Sequence, residues 1–150
     1  MNIRILARVI AYDHEENKVL LVKNKDGDFW YAPGGGWEYD KENILECAKR
    51  EVKEETGIDV EIGRLLYIQE FHAANDTICF ETFWLAKPIG DTDVNELHID
   101  LDPSGAVGES RWFSESELRD AKVFPDRLKN TFWKKIGSVA DTEDPFMGVN

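Results

Sequence analysis

The feature that most constrains this chain is one strongly helical stretch, Asn43 to Thr56, stopped by Gly57 and set between runs of strand-like sequence. Before it, Ile3, Ile5, Ala7, Val9 and Ala11 fall on one face of a period-2 pattern, so residues 3–12 read as a strand. The polar turn DHEENK returns the chain as VLLVK, a second strand. FWYAP reads as a short strand ending at Pro33, and Gly34, Gly35 and Gly36 then form a loop of flexible backbone. After the helix, residues 58–71 and 77–86 are β-rich and flank the turn HAAND, and SRWF is a last short strand. Hairpin turns this early exclude a purely parallel sheet. Strands interleaved with two or three helices predict an α/β fold, a mixed sheet between helices.

The remaining segments are read from their caps and composition. Residues 88–108 form a polar loop rich in Gly, Pro and Asp, of a length that often carries function. Ser114 with Glu117 three residues on is a capping box that opens a helix over 114–121. Residues 125–140 have the pattern of an amphipathic helix with Pro125 near its first turn, and the tail from Asp141 to Asn150 is expected to fray. No repeat or linker interrupts the chain, so residues 1–150 are expected to form one domain. A chain of this length buries about 70% of its unfolded surface.

The net charge of −12 and pI of about 4.6 argue against a nucleic-acid groove or an anionic membrane surface. They leave room for a small anionic substrate when a divalent cation mediates the contact. The two cysteines, Cys47 and Cys79, lie in apolar surroundings and read as buried thiols in preference to a disulfide. With His14, His72 and His98 they give no zinc-type spacing. Arg4 and Arg8 interrupt the first apolar run, so it is not read as a signal peptide, and no run reaches membrane-spanning length. The expected location is the cytoplasm.

The end of the 43–56 helix poses an electrostatic question. Glu51, Glu54 and Glu55 crowd the C-terminal turn, where the helix dipole prefers cations. At 100° per residue they span about a third of the circumference, on the side of Ile44, Cys47 and Ala48, while Glu46, Lys49 and Lys53 take the solvent side. Two readings are open. One is a surface helix laced with ion pairs, for which Glu46–Arg50 and Arg50–Glu54 have the right i,i+4 spacing. The other is a site for a hard cation such as Mg²⁺, which takes carboxylate and carbonyl oxygens. Glu51, Glu54 and Glu55 would then be ligands and a carbonyl of Gly35 or Gly36 would complete the shell. The bound ion would supply the positive charge that the helix end lacks.

Gly36 to Ile58, GWEYDKENILECAKREVKEETGI, resembles the Nudix box. Its fixed positions are filled by Gly36, Glu42, Arg50, Glu51, Glu54, Glu55 and Gly57, with Val52 and Ile58 at the aliphatic ones. The one departure is Lys41, where a glycine often precedes the first box glutamate. The resemblance implies a Nudix-type α/β/α sandwich, a mixed β-sheet with a loop–helix–loop catalytic motif. It implies a pyrophosphohydrolase that uses Mg²⁺ or Mn²⁺ on a nucleoside diphosphate linked to another group. The substrate is then a nucleoside triphosphate, ordinary or oxidised, or a nucleotide sugar such as ADP-ribose. The alternative is a catalytically silent, Nudix-like module that senses a nucleotide. By the same resemblance Glu51, Glu54 and Glu55 are metal ligands, Arg50 holds a glutamate in place, and Glu42 supports the metal cluster with Gly36 from the loop side. Dimers are frequent among members, so a homodimer is admitted.

Members often draw one further glutamate from outside the box. Glu109 is the first choice here, with Glu81, Asp100 and Asp102 as rivals. Other residues admit two readings each. Trp30 and Tyr31 either stack on a base or pack in the core. Glu70 and His72 either meet the substrate or are ordinary strand-end and turn residues, and Arg8 either meets a phosphate or is a solvated strand cation.

Overall fold

A computed structural model of the chain describes residues 1–94, 107–137 and 143–149. Its centre is β1 (Asn2–Asp13), followed by β2 (Lys18–Asn24), β3 (Trp30–Tyr31), β4 (Gly34–Gly36), α1 (Ile44–Thr56), β5 (Asp59–Ala73) and β6 (Thr77–Ile89). Beyond residue 106 come β7 (Val107–Ser114), α2 (Glu115–Leu118), β8 (Val123–Phe124), a 3-10 turn (Asp126–Lys129), α3 (Thr131–Ile136) and β9 (Phe146–Val149). The strands form a mixed sheet in the order β8-β3-β2-β1-β6-β5-β9, with β4 on β1 and β7 on β2. β1 runs parallel to β6 and antiparallel to β2 and β4.

Alternation along the strands divides the core in two. On one face Ala7, Val9, Ala11 and Leu20 pack with Cys47, Ala48 and Val52 of α1. On the other, Ile10, Tyr12, Val19 and Leu21 pack with Leu118 of α2, Leu128 of the 3-10 turn and Phe132 of α3. The expected sandwich of helices about a mixed sheet is what forms.

β1 also explains why the molecule has a cleft. Leu6 to Arg8 pair with Gly36 to Gly34 of β4, whereas only Tyr12 and Asp13 pair with β2. The sheet therefore splays along β1, and the end of α1 stands over the gap.

Three expectations are corrected. The glycine run is strand β4 and not a flexible loop: a Cβ at Gly34 would lie 2.2 Å from the Ala7 carbonyl oxygen, so glycine is needed for close pairing with β1. The 125–140 helix is broken, because Asn130 takes φ −150°, ψ −84° between the 3-10 turn and α3 and caps Thr131 with its side chain. The tail does not fray where it is described. Residues 146–149 form β9, parallel to β5, and Arg127 donates to the Asp144 carbonyl at 2.7 Å while Gln69 donates to that of Gly148 at 2.8 Å.

The long loop shortens at both ends, since β6 continues to Ile89 and β7 begins at Val107. Asp100 and Asp102, the loop rivals for the extra acid, lie outside the described residues. The Ser114–Glu117 capping box is present, opening a helix that ends at Leu118.

Candidate active site

α1 starts at a capping box in which Asn43 accepts from the Glu46 amide and Glu46 accepts from the Asn43 amide, each at 2.9 Å. It stops at Gly57, whose left-handed φ of 77° is one that a Cβ would penalise. Lys53 donates to the Gly57 carbonyl at 3.1 Å, so one cation does sit at the negative helix end. Glu46, Lys49 and Lys53 are exposed and Cys47, Ala48, Val52 and Glu55 are buried, as the periodicity requires.

Arg50 answers most of the electrostatic question. Its Nε and Nη2 donate to the two oxygens of Glu42 at 2.7 and 2.9 Å, and its Nη1 donates to Glu51 at 3.0 Å and Glu54 at 3.3 Å. One guanidinium thus ties three carboxylates together. The Glu42 side chain is 9% exposed, and the Arg50 hydrogen bonds hold its pKa down at about 2. The same pairing pushes the Arg50 pKa up. Glu42 also accepts from the Glu38 amide at 3.2 Å, and its own carbonyl accepts from the Trp37 indole at 2.9 Å, which folds the loop before α1. Lys41 causes no strain there, since it is not among the residues with positive φ.

Glycines bring the backbone against the other two carboxylates. The Gly34 amide donates to Glu55 at 2.9 Å, and a Cβ at Gly35 would lie 2.6 Å from the Glu51 carboxyl group. Any larger residue at 35 would push Glu51 out of place. The Gly36 carbonyl accepts from the Cys47 thiol at 3.6 Å, and burial first, then Glu42, raises the pKa of that thiol to about 12. Cys47 is therefore an inert packing residue.

These groups open on a cavity of about 710 Å³. Glu51, Glu54, Glu55, Glu38, Arg50 and the backbone of Gly34 and Gly35 line one part of it. The rest is lined by Arg8, Glu81, Asn24, Phe29, Tyr31, Val107 and Phe124. Glu81 is only 4% exposed, and its carboxylate accepts from Arg8 Nε. Arg8 Nη1 donates to the Ala32 carbonyl at 3.2 Å, and the guanidinium lies over the Tyr31 ring at 5.4 Å.

The structure therefore gathers Arg50, Glu51, Glu54, Glu55 and Arg8 and leaves other expected residues elsewhere. Glu42 turns both oxygens to Arg50, so it orients the arginine and does not face the cavity. Gly36 is likewise outside the lining, its carbonyl engaged by Cys47. Glu109 pairs in register with Lys23, whereas Val107 pairs with Asn24, because a bulge intervenes. Adjacent residues of a strand point to opposite faces. Val107 thus faces the cavity with Asn24, and Glu109 faces away, 3.7 Å from the Lys23 ammonium and 48% exposed. Trp30 is on the same wrong face: it pairs with Lys23, is 9% exposed and packs edge-on to Phe113 at 4.8 Å. Glu70 and His72 bond each other at 2.9 Å on β5, outside the cavity lining.

Asn24, Phe29 and Phe124 were missed by sequence reasoning. The usable signal was register. Tyr31 pairs with Val22 and with Phe124, so a cavity-facing Tyr31 carries Phe124 with it.

As a metal site the donors are suitable in kind, since hard cations take oxygen ligands. Among the described residues no three acidic, histidine or cysteine side chains converge as they stand, because Arg50 occupies the space between Glu51 and Glu54. The fit thus lies in the donor set and its orientation.

Comparison with known proteins bears on the whole arrangement. The model of the NUDIX domain matches residues 3–133. Diphosphoinositol polyphosphate phosphohydrolase 3-alpha of Mus musculus is 36% identical over 100 residues, 65% of this chain and 56% of that one. The 8-oxo-dGDP phosphatase NUDT18 of Danio rerio is 34% identical over 71 residues, 46% of this chain and 22% of that one. These matches span well under two thirds of either curated relative. Among solved structures, a NUDIX hydrolase from Nitrosomonas europaea superposes with a TM-score of 0.72 at 22% identity, covering 100% of this chain and 80% of that one. An ADP-ribose pyrophosphatase from Streptococcus suis superposes at 0.64 with 20% identity, covering 98% of each chain. At such identities the solved structures speak for the fold, and the family model speaks for descent. With that model matched over residues 3–133, the chain belongs to the NUDIX domain family.

Proposed function

We propose that the chain is a divalent-cation-dependent pyrophosphohydrolase that cleaves a nucleoside diphosphate linked to a further group. The observation that carries this reading is the sign of the cavity. Five glutamates and two arginines line it among the described residues, a net charge of −3. Such a cleft repels a phosphate chain by itself, and a hard divalent cation held by Glu51, Glu54 and Glu55 would offset most of that charge and bridge to the phosphates. Bound there, such an ion neutralises phosphate charge, makes water a better nucleophile and steadies the leaving oxygen.

The chain's own residues do the positioning. Glu42 fixes Arg50, and Arg50 fixes the oxygens of Glu51 and Glu54. The Gly34 amide fixes Glu55, and Gly35 leaves room for Glu51. One glutamate of this group takes the proton from the attacking water at a carboxylate oxygen. Mg²⁺ is the expected ion, and Mn²⁺ has compatible ligand preferences. Two substrate classes fit the reading, a nucleoside triphosphate, ordinary or oxidised, and a nucleotide sugar such as ADP-ribose.

The position of Arg50 between Glu51 and Glu54 gives the rival, a silent nucleotide sensor, its one supporting observation. The deciding experiment is product release over a panel of nucleoside triphosphates and nucleotide sugars with Mg²⁺, products identified by mass. Cleavage between phosphorus atoms that stops in excess chelator is the expected result. Saturable binding of the same panel without cleavage of any member would assign the sensor.

A further inference from the structure

We propose that residues 143–149 form a strap locked by Glu143, and that the docked strap positions the Arg8–Glu81 pair of the cavity wall from behind. The effect on substrate rests on the hydrolase reading above, whereas the docking of the strap does not.

Strand pairing and burial hold little of this segment. β9 makes two register pairs with β5, Ile68 with Phe146 and Glu70 with Val149, and the register shifts between them. Phe146 is 43% and Val149 58% exposed, and Met147 is the residue of β9 that packs on the core. A segment with so few buried apolar contacts opens at low cost unless other ties hold it. Charge supplies those ties. The Glu143 carboxylate lies 3.5 Å from Arg127 Nε and 3.6 Å from Lys135 Nζ, and Arg127 Nη1 donates to the Asp144 carbonyl at 2.7 Å. Both cations also lie over the Tyr67 ring, at 5.0 and 4.9 Å. The Lys135 side chain is only 4% exposed, so removing the Glu143 charge would leave two cations crowded on one ring, one of them buried. Glu143 is therefore the lock.

The lock sits directly behind the cavity. Tyr67 pairs with Phe83 of β6, and Phe83 pairs with Arg8 of β1, so the three stand in one row on one face of the sheet. The Tyr67 and Phe83 rings meet edge-on at 6.5 Å, and Phe83 meets Phe124, a lining residue, at 5.9 Å. In the next row Gln69 stands opposite Glu81, and both are buried. Gln69 spends its amide N–H groups on the carbonyls of Glu70, at 3.0 Å, and of Gly148 in the strap, at 2.8 Å. Undocking the strap thus takes a hydrogen bond from buried Gln69 and a carboxylate from the Tyr67 cations in one event. It opens to water the part of β5 that backs Glu81 and Arg8. Coupling of this kind needs an element with two arrangements that is joined to the distant group by contiguous contacts, and a strap docked or released supplies one. Arg50 and Glu42 stand on α1 and the loop before it, in neither row.

The test is hydrogen exchange of the full chain followed by NMR. It is read at the β9 amides, at Arg8 Nε–H, which Glu81 accepts, and at Arg50 Nε–H, which Glu42 accepts. In Glu143→Gln the β9 amides are expected to exchange about tenfold or more faster, with Arg8 Nε–H following them. Arg50 Nε–H should stay within about twofold, since a general loss of stability would speed both arginines alike. Glu143→Asp, which keeps the charge, should restore most of the protection. Gln69→Leu should loosen β9 and Arg8 together, and it carries the test if Glu143→Gln does not fold. Unchanged β9 exchange in Glu143→Gln would overturn the lock. A loosened β9 with Arg8 unchanged, or Arg8 and Arg50 speeded equally, would overturn the coupling. With Mg²⁺ and either ADP-ribose or dGTP as probe, the loosened variants should show KM raised about threefold or more and kcat within about twofold. A loss of kcat at unchanged KM would overturn the positioning role. Failure of the hydrolase reading shows differently: neither probe is cleaved, while exchange at Arg8 still follows the strap.

Discussion

The two ends of the cavity are held together by different physics. At the carboxylate end, position is set by charge: Arg50 spans Glu42, Glu51 and Glu54, and backbone groups of Gly34 and Gly35 press against Glu55 and Glu51. At the aromatic end, position is set by strand register: Tyr31 faces the cavity because it pairs with Val22, and its neighbour Trp30 faces the core because it pairs with Lys23. The first arrangement is written in residue types at fixed helical spacing. The second depends on which of two adjacent residues a strand happens to turn inward.

The largest expected effect separates function from packing at the charged end. Glu54→Gln should lower kcat by about a hundredfold or more, the usual scale for a group acting on a transferred proton or its charge. The fold should survive, because Glu54 is one of three carboxylates that accept from Arg50 and makes the longest of those bonds. A steep fall in Tm alongside the lost activity would mean that the cluster is an ion-pair scaffold.

Arg50→Gln should damage stability more than any box glutamate does. It strands the Glu42 side chain, 9% exposed, without its bidentate partner. Breaking a buried pair in this way costs about 3–5 kcal/mol. The pH dependence has a definite sign. Glu42 has its pKa lowered from 4.5 to about 2 by the Arg50 hydrogen bonds. Its contribution is therefore complete above the unfolded value and is lost as pH falls from about 4.5 to about 2. In metal-free protein this amounts to about 3 kcal/mol. Denaturant melts at pH 5 and pH 2 should show that loss in the wild type and a smaller one in Arg50→Gln. An equal loss in both would place the acid sensitivity elsewhere.

The aromatic end should respond in the opposite manner. Trp30→Ala removes a core side chain packed on Phe113 and should cost about 3–5 kcal/mol, with KM of the folded protein unchanged. Tyr31 is only partly buried, so Tyr31→Leu should cost less than Trp30→Ala, about 1 kcal/mol, and should raise KM. A KM effect from Trp30→Ala alone would reverse the assignment of faces.

Much of the carboxylate end was legible because it is local. Thirteen residues of helix, a glycine stop and three glutamates fix their own geometry through the helical period. Arg50 was legible as a partner of glutamate but not in its full reach, since its bond to Glu42 depends on how the loop from Trp37 folds back. The mixed sheet between helices followed from alternation and turns. The tail β9 did not: its pairing with β5 rests on Arg127 and Gln69, which are distant in sequence and carry no local pattern. Glu109 and Trp30 were misplaced for one shared reason. A bulge at Lys23/Asn24 and a single-residue alternation decide which face they take, and neither leaves a mark in composition.

Glu109→Gln carries the smallest expected effect. Itself exposed on the far face of β7, 3.7 Å from the Lys23 ammonium, it should change kcat by less than about twofold and stability by under about 0.5 kcal/mol. A hundredfold fall in kcat would require β7 to present its other face to the cavity.

The claim that Glu51, Glu54 and Glu55 hold a divalent cation is tested most directly without any substrate, by melting the metal-free chain against increasing Mg²⁺. A ligand that binds only the folded state stabilises it by about 2.7 kcal/mol at a hundredfold excess over its Kd. The expected result is a saturable rise in Tm for the wild type that shrinks in Glu51→Gln and again in Glu55→Gln. An undiminished rise in both variants would contradict the claim and put the cation outside the α1 cluster.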